Sequence, residues 1–343
     1  MSMYAPLNFV SDLRTFFRTK EGRDVMPGND EALEYCSNLD KTWLYGNLSK
    51  YGNLVTDKTE AIFMPIAKEL QRIIGFEASS DMLPAISNYV YMCDIQDVWR
   101  KNKVSYKIDA ELLKQFLKMD TPKKFASDFL RKQPCNAYYV DISDYGDEVL
   151  KGIHGFFVRS ERVDNVVVLF FMCIFKDPTI DDVVSTAMYV TDEEGEVEAC
   201  RDFSDFTNTN GLNYNLFYQV FINFCIYLHA ANRDVEVSVR TKDNHGKTFK
   251  TIKDKFREVK EFDIGLRYGN TVRANNKRYV YEGKSKDEIT DKRKVTSHYR
   301  AAHWHHYWTG SGDSKELIVK WVEGIWVKGT VDVDEVVIHK VKK

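Results

Sequence analysis

The chain has 343 residues, 43% of them hydrophobic, with 21 Phe and 19 Tyr, a composition that builds packed cores and excludes a disordered chain. Its formal net charge of −2 hides an asymmetry: residues 1–239 carry 25 Lys and Arg against 36 Asp and Glu, residues 240–300 carry 18 against 9, and residues 301–343 balance at 6 and 6. The acidic body and the one basic segment point that segment either at an anionic partner or, as a lysine-rich loop, at bulk water.

No apolar run reaches the roughly 18 residues needed to span a bilayer. The longest, Val166 to Phe175, suits a buried strand. The N-terminus MSMYAPLNFVSDLRTFF lacks the basic start and apolar middle of a signal peptide, so the expectation is a soluble, cytoplasmic protein with no membrane partner. The six cysteines, Cys36, Cys93, Cys135, Cys173, Cys200 and Cys225, lie at least 25 residues apart. Without a CxxC pair they read as reduced, mostly buried thiols rather than zinc ligands.

The first 135 residues predict a mostly helical domain. AIFMPIAKELQRIIGF (61–76) has helical spacing, and Gly75 suits its end. MLPAISNYVYMCDIQDVWRKNK (82–103) predicts a second helix with Pro84 in its first turn. Asp109 caps an amphipathic AELLKQFLKM, and PKKFASDFLRK (122–132) predicts one more helix. After Pro134 the pattern changes. NAYYVDIS, GIHGFFVRS, NVVVLFFMCIF and VVSTAMYV are strands separated by turn signals. NYNLFYQVFINFCIYLHAAN (213–232) is a helix apolar on most faces, hence deeply buried. Residues 136–239 thus predict an α/β core domain. Residues 240–343 predict a basic region ending in a His/Trp signature; candidate strands run from VEVSVR (235–240), just before it, through FDIGLRYG, KRYVYEG, ELIVKWVEGIWVKGT and VDEVVIHKV. The fold class is α+β: an N-terminal helical region, a central, mostly antiparallel sheet with a buried helix, and a C-terminal β-rich basic region.

The chemistry-bearing stretch is SHYRAAHWHHYWTGSG, Ser297 to Gly312. If 302–308 is extended, His303, His305 and Tyr307 point one way and Trp304, His306 and Trp308 the other. Four uses stay open. A His-x-His pair can chelate a transition metal if His298, His229 or a carboxylate completes the set. Two imidazoles can serve as acid and base in RNA cleavage. The surface can stack on a ligand, or the aromatic face can simply pack into the core. No HExxH spacing is present. Lys277, Arg278, Tyr279, Tyr281, Lys292, Arg293, Lys294, Tyr299 and Arg300 interleave bases with aromatics, a pattern suited to RNA. Asp141, at the end of a buried strand, is a base, a metal ligand or, more simply, the cap of the turn ISDYG. There is no GxxxxGK[ST] loop, GxGxxG or GxSxG elbow, and no cofactor or metal is expected.

YVDIS (139–143), GIHGFFV (152–158), HWHHYWTGSG (303–312) and KELIVKWVEGIWV (315–327), in that order, resemble the second-named family of type V-A anti-CRISPR proteins of phages and other mobile elements. The matched positions are Asp141, Gly155, His303, Trp304, His305, Tyr307, Trp308, Gly310, Trp321 and Val327. The resemblance implies a regulatory protein in the cytoplasm of a host bacterium. It would recognise the nascent N-terminal peptide of the type V-A effector and trigger loss of its mRNA, with mRNA or ribosome as further partners. Binding would fall to His303, Trp304, His305, Tyr307, Trp308, Arg300, Lys320 and Trp321. Two departures bear on RNA contact. Arg300 is followed by Ala301-Ala302 where the family has an arginine pair and glycine, and Lys320-Trp321 stands for an Arg-Trp, losing the bidentate fork. The competing reading is a ribonuclease with His303, His305 and Asp141 as catalytic candidates.

Overall fold

The structure, a computed structural model, describes residues 29–40, 43–44, 47, 56–75, 77, 79–80, 83–119, 124–144, 150, 153–163, 166–175, 184–191, 196–198, 214–237, 259–282, 298–300, 302–311, 316–327 and 337–338. Among the described residues the chain opens with helical segments that include α1 (Asn29–Ser37), α2 (Thr56–Ile74) and α3 (Leu83–Asn102). Then follow β1 (Val104–Ile108), α4 (Ala110–Lys118), β2 (Lys124–Ala126) and α5 (Asp128–Arg131). The middle of the chain forms β3 (Ala137–Asp141), β4 (Ile153–Val163), β5 (Val166–Phe175), β6 (Val184–Thr191), β7 (Glu196–Glu198) and α6 (Tyr214–His229). The last part forms β8 (Val235–Val237), β9 (Lys260–Ile264), α7 (Leu266–Glu282), β10 (His298–Arg300), β11 (His303–Thr309), β12 (Glu316–Val322), β13 (Ile325–Val327) and β14 (Val337–Ile338).

A seven-stranded sheet in the order β6-β5-β4-β3-β1-β9-β8 holds the molecule together. β3, β1 and β9 run parallel; the remaining neighbours are antiparallel. Strands from each of the three segments distinguished by composition therefore lie side by side. Both faces are covered. Phe156, Val158, Leu169 and Phe171 pack in one core with α4 and α6, and Phe157, Val168, Phe170 and Met172 pack in another with α1, α2 and α3. A strand buried on both sides has no polar face, which explains why 166–175 is continuously apolar rather than alternating. Arg159 on β4 pairs with Asp94 on α3 at 3.1 Å, both nearly water-free, and also reaches Glu161.

The local signals behave as expected in three helices. Gly75 closes α2 at φ 85°, its N–H donating to Gln71 O at 2.8 Å. Pro84 lies in the first turn of α3, and Asp109 caps α4 by accepting from Glu111 N at 2.9 Å. Elsewhere the sequence expectations need correction. β1 lies inside the stretch read as helical. Its sequence VSYKI is short and carries two polar residues, so it shows little strand signal, yet it sits between β3 and β9. PKKFASDFLRK forms β2 and a single turn, α5, instead of one helix. Of FDIGLRYG only the start is strand, and KRYVYEG is helical, because both run into α7. That helix has no local cap: Asp234, 33 residues away, accepts from Arg267 N at 2.7 Å and Tyr268 N at 3.3 Å. Gly265, at φ 74°, makes the turn into it and donates to Asp234 O. ELIVKWVEGIWV is two strands, β12 and β13.

Gly155 lies opposite Asp141 in the β3–β4 pair. A Cβ there would sit 2.2 Å from Tyr139 Oη and 2.4 Å from Val140 O, and the latter, a backbone atom, cannot rotate away. Gly155→Ala is expected to cost about 1–3 kcal/mol, read as a lower urea midpoint. It should also disturb the 2.9 Å hydrogen bond between Tyr139 Oη and His154 Nδ1.

Candidate functional site: the histidine–tryptophan hairpin

β11 and β12 pair antiparallel, with Trp304 opposite Trp321, His305 opposite Lys320 and Tyr307 opposite Ile318. Period-two geometry then sorts the side chains. Trp304 and Trp321 turn inward, with ring centroids 4.9 Å apart, and Val319 is buried beside them. Trp321 also meets Phe116 of α4, Tyr227 of α6 and Tyr268 of α7 edge to face. The hairpin thus belongs to the same core as α6.

Two amides on α6 prepare that seat. Gln219 donates to Phe116 O at 2.8 Å and Leu117 O at 2.9 Å, and Asn223 donates to Phe116 O at 3.2 Å. These bonds satisfy the last carbonyls of α4. Asn223 Oδ1 then accepts from Trp304 Nε1 at 2.9 Å. Just beyond α6, Asn232 acts as a false strand: its Nδ2 donates to Trp321 O at 2.7 Å and its Oδ1 accepts from Trp321 N at 2.9 Å. Ala231 N donates to Val319 O at 3.0 Å. The outer edge of β12 is closed along these residues. Burial pushes the Tyr227 phenol well above its usual range, so it stays neutral while its oxygen accepts from Asp234 N.

The outward face carries His303, His305, Tyr307 and Lys320. His305 and Tyr307 are exposed, with ring centroids 4.2 Å apart; His303 and His305 are 6.4 Å apart. Lys320 Nζ lies 5.2 Å from the centre of the Tyr307 ring, within cation–π range. The expected split of the two faces is present for His303, Trp304, His305 and Tyr307; His306, on the Trp304 side of the pleat, is solvent-exposed. Trp308 is placed by its backbone opposite Leu317. Gly310, at φ 92°, ends the strand.

The other candidates lie apart from this face. Arg300 is exposed on β10, in a three-stranded sheet with β13 and β14. Asp141 is buried on β3 and accepts from Ser143 N at 2.9 Å and Ser143 Oγ at 2.6 Å, the geometry of a turn cap. Beside it, burial works against the Lys107 ammonium, yet Asp144 at 2.9 Å, with Asp141 and Glu261 nearby, holds that group above the ordinary lysine range. His229 is engaged at the end of α6 with Cys225 O at 2.9 Å. Among the described residues no group of three or more His, Cys, Asp or Glu is placed to hold a metal ion. Lys277, Arg278, Tyr279 and Tyr281 lie on α7, where only the backbone is described, and Lys292, Arg293 and Lys294 lie outside the described residues, as does most of the basic segment. Also among the described residues, no helix is long and apolar enough to cross a membrane. Sequence reading missed Asn223 and Asn232. A lone Asn inside the apolar run VFINFCIYL was the available signal for the first.

Fold and hairpin both fall within the type V class of anti-CRISPR proteins. The profile of the AcrVA2-like family, anti-CRISPR type V subtype A2, matches residues 106–329, well over half of the chain, and the chain belongs to that family. The crystal structure of AcrVA2 is similar in fold, with a TM-score of 0.53 at 19% sequence identity, over 95% of this chain and 100% of that one. No curated protein matches the sequence.

Proposed function

We propose that this anti-CRISPR protein lowers the amount of a type V-A effector by recognising its nascent N-terminal peptide in the bacterial cytoplasm and bringing about loss of the translated mRNA. The observation supporting a binding protein over an enzyme is the form of the signature hairpin. Trp304 and Trp321 are core anchors, and His305 and Tyr307 face solvent with the half-buried His303 and Lys320 beside them, a ladder of side chains on one face. Catalysis favours a concave, water-excluding site. A cleft of about 300 Å³ opens among Arg131, Gln133, Cys135, Asn136, Glu161 and Arg162, and no hairpin residue lines it. The acidic body, net −11 over residues 1–239, suits a basic peptide.

The test is co-expression with a type V-A effector. Effector mRNA should fall equally for the natural 5′ coding region and for a synonymous recoding that keeps the peptide. A fall restricted to the natural nucleotides would sink peptide recognition, and an unchanged message in both would sink the whole reading. A second reading rests on the 6.4 Å separation of the His303 and His305 rings beside Lys320, which would suit acid, base and phosphate partner in a ribonuclease. Purified protein incubated with RNA separates the two. The binding reading expects the RNA intact; cleavage abolished by His303→Ala or His305→Ala would establish the second.

A further inference from the structure

We infer that the outward face of the β11–β12 hairpin is a platform for a short unpaired run of RNA, with bases stacking on His305 and Tyr307 and a phosphate meeting Lys320. This rests on the reading of the protein as one that brings about loss of a message, and it assigns the message-binding side of that action to one surface.

The ladder has the parts such a surface needs. The rings of His305 and Tyr307 lie against each other, 4.2 Å between centroids, so together they form one continuous aromatic surface whose outer faces can receive splayed bases. His305 and Tyr307 are both exposed, Tyr307 at 40%. Stacking on imidazole and phenol is tolerant of base identity, as a protein acting on a message through its encoded peptide requires. Lys320 stands opposite His305 with its ammonium 5.2 Å from the Tyr307 ring, so one positive charge lies beside the stacking faces. Trp304 and Trp321 anchor the strands from beneath and Asn232 holds the β12 edge, so the backbone that presents the rings is already ordered.

Charge favours the same occupant. Residues 1–239 carry net −11 and repel a polyanion, whereas residues 240–300, which lead into the hairpin, carry net +9. An extended peptide would bind best by adding a strand, and on the β12 side Asn232 and Ala231 already occupy the edge at Val319 and Trp321.

The experiment is fluorescence anisotropy of the full chain with a fluorescein-labelled oligouridine of about a dozen nucleotides. Binding is expected at low salt, with duplex RNA weaker. His305→Ala and Tyr307→Ala should each weaken it about tenfold or more, the loss of one stacked base. Lys320→Ala should flatten the logarithmic salt dependence by about 0.7. Lys68→Ala, an exposed charge on α2, should change nothing. Absent binding, or binding unchanged in the His305→Ala, Tyr307→Ala double variant with intact circular dichroism, overturns the platform. So does loss of binding to a synthetic effector N-terminal peptide with RNA binding retained, which would make the ladder a peptide surface. A fall in effector mRNA without RNA binding defeats the platform alone; ladder-dependent RNA binding without that fall supports the platform and defeats the functional reading.

Discussion

Trp321→Ala should lower the unfolding free energy by about 3–5 kcal/mol, the range for deleting a large buried side chain that leaves a cavity. Trp321 is 3% exposed and touches rings from four other elements: Phe116, Tyr227, Tyr268 and Trp304. Those elements cannot all close on the void, because the α4–α6 seat is fixed by Gln219 and Asn223. The two tryptophans differ in a way that a milder change exposes. Trp304 Nε1 donates to Asn223 Oδ1, whereas Trp321 Nε1 is buried without a hydrogen-bond partner among the described residues. Trp304→Phe therefore strands a buried acceptor and costs about 1–3 kcal/mol beyond its lost volume. Trp321→Phe breaks no such bond and costs little beyond volume. Guanidinium titrations followed by far-ultraviolet circular dichroism should order the two phenylalanine variants with Trp304→Phe the less stable. The opposite order would mean that Asn223 is not what locates the hairpin.

Elements whose instructions are local were legible in the sequence. The Asp109 cap, the Gly75 stop, the apolar α6 and the four strands from 137 to 191 each carry their own signal. The alternation that turns His305 and Tyr307 to solvent and Trp304 to the core follows from strand geometry alone. What escaped was determined at a distance. VSYKI becomes a strand because β3 and β9 flank it in space, more than 30 and 150 residues along the chain. LRYGNTVRANNKRYVYE looks extended by its tyrosines and valines, but its first turn is capped by a side chain from before β9. The hairpin's seat was hidden for the same reason. Asn223 and Asn232 bridge 81 and 89 residues to the tryptophans they hold, and no window of sequence shows that pairing.

Arg159→Ala should be comparably destabilising, about 3–5 kcal/mol, for an electrostatic reason. It would leave Asp94, 1% exposed on α3, without the guanidinium that now meets it at 3.1 Å. A buried carboxylate that loses its guanidinium is the costly state, and the pair itself is not where the stability originates. The double variant Arg159→Met, Asp94→Leu should therefore recover most of the loss, because two apolar side chains would pack between α3 and the sheet. Urea midpoints of the two singles and the double close the cycle; a double no better than Arg159→Ala would refute this account and place the energy in the guanidinium's bonds to Glu161 and the Ser160 carbonyl. The cycle also separates fold from function. The family profile begins at residue 106, after α3, whereas the hairpin lies within it. If the helical layer only covers the sheet, the refolded double variant should still lower effector mRNA, while ladder variants of equal stability should not.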